Sequence, residues 1–273
     1  MALFTVFGGR GFIGTEVVSQ LEKNGHVVQV PDRDAEWVYK NKLGIVIYAA
    51  GFGDCDNDPV NVVQANLGLF SQIINNSNFE KLVYISSTRL YLNEYDSSEQ
   101  ADLNISSNDS RKLFNLTKMA AEELCMKSQR NCLIIRPSNV YGLAVDSPLF
   151  LPAIVRSALL NNNVDMYVTS KYSKDYVYVG DLVSAILALV DKNTTGTFNI
   201  ASGENTSAEE IATILKLQTN CNINWLVETD VDYFHPIDIS KLKDTIDYKP
   251  VSVVANLRKM VCDFKEYFDS KNS

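Results

Sequence analysis

The chain has 273 residues, 46% of them hydrophobic and 21% charged, a globular composition able to bury a large core without disulfide or metal staples. Its 25 basic and 33 acidic side chains leave a formal charge of −8, which argues against a broad nucleic-acid footprint. No apolar run reaches the roughly 18 residues of a membrane span, no signal peptide is expected, and five scattered cysteines suit neither a zinc site nor a disulfide framework, so a reducing cytoplasm is the expected setting.

Leu3–Phe7 is a short apolar strand running into Gly8-Gly9-Arg10-Gly11-Phe12-Ile13-Gly14. Thr15–Lys23 has helical spacing, with Val17, Val18 and Leu21 on one face, and Asn24-Gly25 stops it. Val27–Val30 reads as a second buried strand and Leu43–Ala50 as a third. A Gly/Asp loop from Gly51 to Pro59 follows, whose acids suit a solvated loop at the mouth of a site. Val60–Asn75 reads as a helix and Lys81–Ser86 as a strand. Arg111–Lys127 reads as a helix with Leu113, Leu116, Ala120 and Leu124 in register, and Cys132–Arg136 as a strand stopped by Pro137. The second half is less regular: helices at Pro148–Leu160, Gly180–Val190, Ala208–Leu217 and Val251–Phe268, strands at Tyr176–Val179 and Thr197–Ala201. Strands apolar on both faces, alternating with helices, predict a parallel sheet covered on two sides.

The glycines between the first strand and first helix carry chemistry. One permits a tight turn, one lets backbone approach a pyrophosphate, and one lets the helix pack on the sheet. The helix N-terminus then offers free N–H groups and partial positive charge to phosphates. Asp32 lies about 20 residues on, at the end of the second strand, where an acid binds a ribose 2′-hydroxyl. Arg33 and Arg10 suit a 2′-phosphate instead. NAD is slightly favoured over NADP. The plainer readings are a glycine turn kept for packing and two arginines that are ordinary surface charge.

Further segments follow in order: Val46-Ile47-Tyr48-Ala49-Ala50-Gly51, Asn66 with Gly68, Val83 to Tyr91, Arg136 to Gly142, Lys174 to Leu182, Asn199 to Gly203 and Asp238 to Lys241. With the glycine loop, they resemble the extended short-chain dehydrogenase/reductase family, the NAD-dependent epimerase/dehydratase group acting on nucleotide sugars. The resemblance implies an α/β fold with a Rossmann-type doubly wound parallel sheet and a small interleaved C-terminal α/β substrate domain. The expected division is 1–138 and 175–201 for the dinucleotide, 139–174 and 202–273 for the substrate. The cofactor-binding positions carried over are Gly8, Arg10, Gly11, Phe12, Ile13, Gly14, Asp32, Arg33, Ala49, Ala50, Gly51, Ile85, Lys118 and Pro137. Ser87 takes the place of the catalytic Ser/Thr, and Ser87, Thr88, Asn139 and Arg156 are expected at the substrate.

Three departures stand out. The family's YxxxK falls on Phe114-Asn115-Leu116-Thr117-Lys118, so the lysine is present and the tyrosine is not. Few residues separate Asp32 from the strand at Gly44–Ala50, leaving no room for the helix and strand the family usually fits there. Thr88-Arg89 stands where family 4,6-dehydratases resemble Asp-Glu, so dehydration is disfavoured.

Oxidising a sugar C–OH by hydride loss requires removal of the hydroxyl proton. The family's phenol, near pKa 10 when free, does this once a lysine one helical turn away lowers its pKa. A serine hydroxyl polarises the same oxygen. Phenylalanine exchanges no proton at any pH. Three explanations stay open: Phe114 is an introduced substitution that traps a complex, another group or a water replaces the phenol (Thr88, Tyr91 and Asp109 are near in sequence), or the protein binds without catalysis. The expected function is an NAD(P)-dependent nucleotide-sugar epimerase or 4-keto-reductase, in a form impaired at Phe114. The alternative is a non-catalytic NAD(P)- or sugar-nucleotide-binding protein. Two histidines without partners predict no catalytic metal. Partners are a nucleotide sugar, with no nucleic acid and no membrane, and the helices at 60–75 and 111–127 leave a homodimer open.

Overall fold

The computed structural model describes residues 1–230 and 232–271. In chain order the elements are β1 (Leu3–Phe7), α1 (Phe12–Lys23), β2 (Val27–Gln29), β3 (Ile45–Tyr48), α2 (Pro59–Val63), α3 (Leu69–Asn76), β4 (Lys81–Ile85), α4 (Lys112–Lys127), β5 (Cys132–Pro137) and β6 (Asn139–Tyr141). Then come α5 (Phe150–Leu160), β7 (Asn163–Met166), β8 (Ser173–Tyr178), α6 (Val179–Asp191), β9 (Gly196–Ile200), β10 (Asn205–Ser207), α7 (Ala208–Thr219), β11 (Asn222–Trp225), α8 (Ser240–Thr245) and α9 (Val253–Lys271).

The main sheet has six strands, all parallel, in the order β2-β1-β3-β4-β5-β9. The chain builds from β1 outward to β2, then returns to the other side of β1 with β3. That reversal opens a crevice beyond the carboxyl ends of β1 and β3. Alternate residues fill the two faces. Phe4, Val6, Ile47, Val83 and Ile85 pack with α1 and α6, while Phe7, Val46, Tyr48, Leu82 and Tyr84 pack with α3 and α4.

Two expectations need correcting. Val27–Val30 is not a buried strand: β2 is the edge of the sheet, and Val27 is 46% exposed. Only a 3-10 turn at Glu36–Tyr39 occupies the short link to β3, and among the described residues no further strand pairs with the outer edge of β2. In α4 the residues in register, Leu113, Leu116, Ala120 and Leu124, are not the buried face: Leu116 is 47% exposed, Ala120 is exposed, and Leu113 and Leu124 are half-buried, Leu124 against the core. The buried face is Phe114, Asn115, Thr117, Lys118, Ala121, Glu122 and Cys125. Its polar members are tolerated inside because each finds a partner. Glu122, for example, takes a bidentate ion pair from Arg136 at 3.0 and 2.6 Å.

The helix expected at 60–75 is broken into α2, a π turn at Gln64–Gly68 and α3. The carbonyls of Ala65 and Asn66 in that turn accept from the hydroxyls of Tyr48 and Tyr84. Sheet side chains thereby satisfy groups the helix leaves open.

The remaining chain forms a three-stranded sheet, β10-β8-β6, and a parallel β7–β11 pair. Helices α5, α7 and α9 enclose a second core around Val155, Val164, Leu215, Leu257 and Phe264. Ile237, Ile239, Leu242, Ile246 and Tyr248 cross back to the main sheet's core, with α8 beside β9.

Candidate active site

The glycine loop is closed by contacts only glycine permits. Gly8 has φ +76°, and a Cβ there would sit 2.6 Å from the carbonyl oxygen of Ala49. A Cβ on Gly14 would sit 2.0 Å from the Gly8 oxygen, so α1 is seated directly on the loop. Gly11 begins α1 without any side-chain cap, which leaves the first helical N–H groups to the crevice. A cavity of about 670 Å³ lies there. Of the expected cofactor positions, Gly8, Arg10, Gly11, Asp32, Arg33, Ala49, Ala50 and Gly51 line it. Phe12, Ile13, Gly14, Ile85, Lys118 and Pro137 are not in its lining. Sequence reasoning did not reach Phe52, Asn61, Gln64 and Gln72, which come from the loop and helices on the opposite wall and carry no spacing signal. Asp32 is already paired with Arg10 at 2.7 Å, both side chains largely exposed.

Lys118 is 3% exposed. Its Nζ donates to the Ile85 carbonyl at 2.7 Å and lies 4.9 Å from the Tyr84 ring centre. Burial pulls its pKa down to about 7, against the opposing pull of Glu122. A Cβ on Gly51 would meet that Nζ at 2.8 Å, so one bare glycine separates the amine from the cavity. Asn66 fixes this loop, accepting from the Phe52 amide at 3.0 Å and donating to the Phe52 carbonyl at 2.9 Å and to Thr117 at 3.1 Å. Asn66 was visible in the sequence only as part of a motif; its role comes from the π turn that aims it.

Ser87 follows β4 and accepts from the Arg89 amide at 3.1 Å, capping the 3-10 turn Thr88–Tyr91. That bond leaves its hydroxyl hydrogen unused. Thr88 is buried beside it. Phe114 lies on α4 with its ring between the Arg111 guanidinium at 4.6 Å and Lys118 Nζ at 5.6 Å. Arg89 pairs with buried Asp109 at 2.7 Å, and Asp109 also accepts from the Arg111 amide and Asn115.

A second cavity, of about 280 Å³, is lined by Arg111, Asn139, Tyr141, Leu151, Tyr172 and Lys174 among others. Asn139 also donates to the Asp175 carbonyl at 2.8 Å. Arg156 is not in this lining, and its guanidinium ties down a loop through the Val145 and Ser147 carbonyls at 2.5 and 3.0 Å. Lys174 sits over Tyr172 and Phe234 at 4.9 and 4.5 Å. Burial, then Arg89, pulls its pKa down to about 8. Among the described residues no His, Cys, Asp or Glu cluster could hold a metal ion, and no helix is long and apolar enough to cross a membrane.

The sequence profile of the NAD dependent epimerase/dehydratase family matches residues 4–201. UDP-glucuronic acid decarboxylase 1 of Arabidopsis thaliana is 27% identical over 165 residues, covering 57% of this chain and 38% of that protein. UDP-N-acetyl-alpha-D-glucosaminuronate decarboxylase of Bacillus cytotoxicus is 22% identical across 96% of this chain and 97% of its own length. The chain thus spans well under half of the plant relative and nearly all of the bacterial one. Among solved structures, a tyrosine-to-phenylalanine mutant of UDP-glucuronic acid 4-epimerase from Bacillus cereus, in complex with UDP-4-deoxy-4-fluoro-glucuronic acid and NAD, superposes with TM-score 0.84. That likeness covers 97% of this chain and 99% of the other at 20% identity, and is one of fold.

Proposed function

This chain belongs to the NAD dependent epimerase/dehydratase family, and from that premise we propose that it is an NAD(P)-dependent nucleotide-sugar enzyme, an epimerase or 4-keto-reductase acting by hydride transfer at a sugar carbon. The observation that carries this is the approach of buried Lys118 to Gly51 on the wall of the glycine-loop cavity. A packing lysine has no need of such a place, since burying an amine at that depth is unfavourable.

The residues fit a dinucleotide: the bare backbone at Gly8 and Gly14 is a cradle that a Cβ would fill. Gly8, Gly11 and the start of α1 would hold a pyrophosphate. Asp32 would take a ribose hydroxyl and Arg10 or Arg33 a 2′-phosphate, with NAD slightly preferred. When bound, the dinucleotide accepts or supplies the hydride. Ser87 donates its free hydroxyl hydrogen toward the sugar oxygen, and Lys118 supplies positive charge to the site in its protonated form, which burial confines to pH values below about 7. Phe114 holds the place of the proton carrier without an oxygen, so the chain as it stands binds better than it turns over. A protein of this fold that exchanges a tyrosine for phenylalanine still holds a sugar nucleotide and NAD, which supports that reading.

The halves 1–138 with 175–201 and 139–174 with 202–273 are our assignment of cofactor and substrate sides. Five free thiols suit the proposed cytoplasmic setting. A turnover assay of the chain beside Phe114→Tyr tests the function. Restored hydride transfer in the tyrosine form, by 100-fold or more, is expected. Activity already present in the unaltered chain points to a replacement group. Silence in both, with tight dinucleotide binding, favours the second reading, a non-catalytic binding protein, for which Phe114 itself is the supporting observation.

A further inference from the structure

Tyr48 on β3 and Tyr84 on β4 face each other in the parallel register, buried, with nearly parallel rings 5.9 Å apart. Phenylalanine would pack as well in that place. Both hydroxyls, however, donate to the π turn at Gln64–Gly68: Tyr48 to the Ala65 carbonyl, and Tyr84 to the Asn66 carbonyl at 3.0 Å. Those carbonyls belong to the two peptide units on either side of the Asn66 Cα, so the direction of the Asn66 side chain is held from both sides. Burial pushes both phenols above their ordinary pKa, so the donated protons stay in place at neutral pH.

Asn66 is itself fully buried. It accepts from the Phe52 amide and donates to the Phe52 carbonyl and to Thr117, which clamps the loop after β3 to the α4 residue beside Lys118. A Cβ on Gly51 would lie 2.8 Å from Lys118 Nζ and 3.2 Å from Asn66 Oδ1, so bare Gly51 passes between the two groups. Gly51 and Phe52 line the glycine-loop cavity after β3, whereas Asp32 lines it after β2, two strands away across the sheet. A π turn carries a residue more than an α turn, and buried carbonyls that lose their donors favour rewinding it. A one-residue slip rotates a helical side chain by about 100°. Such a slip would take Asn66 off Phe52.

Resting on the dinucleotide reading above, we propose that Tyr48 and Tyr84 are positioning residues for the cofactor: their hydroxyls, acting through Asn66, hold Gly51 and Phe52 in place for the nicotinamide half of the dinucleotide beside Lys118.

Titrations of the full chain with NADH and with ADP, which carries only the adenosine and diphosphate end, test this. Tyr48→Phe combined with Tyr84→Phe should weaken NADH at least 10-fold and leave ADP within 2-fold. Thr5→Val removes another buried hydroxyl of the same sheet, one that donates to the Leu43 carbonyl at 2.8 Å, and should leave both ligands within 2-fold. Asn66→Ala should weaken NADH as much as the paired change, and adding the two phenylalanines to it should cost less than a further 2-fold. Thermal unfolding checks that each variant is folded. Where a combined variant does not fold, Tyr48→Phe and Tyr84→Phe alone carry the comparison, each weakening NADH at least 3-fold. Unchanged NADH affinity in folded tyrosine variants overturns the proposal while the dinucleotide reading stands. Equal loss of NADH and ADP also overturns it, since the whole cavity is then disturbed. So does a loss that persists undiminished in Asn66→Ala, because the hydroxyls then act elsewhere. Failure of the folded, unaltered chain to bind NADH or NADPH removes the dinucleotide reading, and this proposal with it.

Discussion

Lys118 shows how one residue couples stability to acidity. In an unfolded chain a lysine amine keeps its proton to about pH 10.4. In the folded chain burial brings that pKa to about 7. Between those values the unfolded state carries the extra proton, so folding stability rises with pH, by up to about 1.4 kcal/mol per pH unit. The gain is complete above the unfolded value and is lost as pH falls toward 7. Urea unfolding at pH 7 and 9 should therefore show a larger increase in midpoint for the native chain than for Lys118→Met. Parallel curves would mean that the amine is solvated. The sequence disclosed the position of Lys118 through its motif; the depth of burial and the Ile85 carbonyl that receives the amine depend on β4, beyond the reach of helix spacing. Arg156 illustrates the opposite: a helix position near a pocket says nothing of which way the guanidinium turns, and here two loop carbonyls take it.

Among the elements, α1 and the glycine loop were the most legible, because conformational demands on glycine write themselves into sequence. The Gly14 contact predicts that Gly14→Ala must push α1 off the loop. A loss of about 1–3 kcal/mol in stability is expected from such overpacking, with NADH affinity, read by fluorescence titration, falling at least 10-fold. Unchanged affinity in that variant would separate the loop from the cofactor. The orientation of α4 was less legible. Its leucine stripe is the more hydrophobic, yet the polar stripe is buried, since Glu122 and Lys118 each have a fixed partner inside. Apolar periodicity reports where grease lies and cannot see a pre-placed arginine or carbonyl. Short strands such as β6 and β10, three residues each, carry too few positions for any period to register.

At the scale of the whole molecule, the exposed Leu116 acquires a meaning of its own. Leu116 on α4 is 47% exposed. A second copy meeting this face of α4 would bury it, and we predict a dimer. Sedimentation velocity should give about twice the 30.5 kDa chain mass for the native protein and a monomer for Leu116→Glu. A native monomer at micromolar concentration would rule that surface out. The parallel sheet covered on two sides followed from strand and helix alternation and its doubly wound order from the family resemblance, whereas the return of residues 237–248 to that sheet followed from neither, because isolated isoleucines in a loop have no period to read.

The bare flank of β2 has a consequence for how the enzyme would cycle. With only a short turn in the link beyond it, and Asp32 and Arg10 side chains 74% and 69% exposed, the adenosine end of a dinucleotide would be solvated on its β2 side. A cofactor gripped at its centre and free at one end exchanges readily with the surrounding pool. Such a protein would take up and release its dinucleotide, and would not be its permanent host.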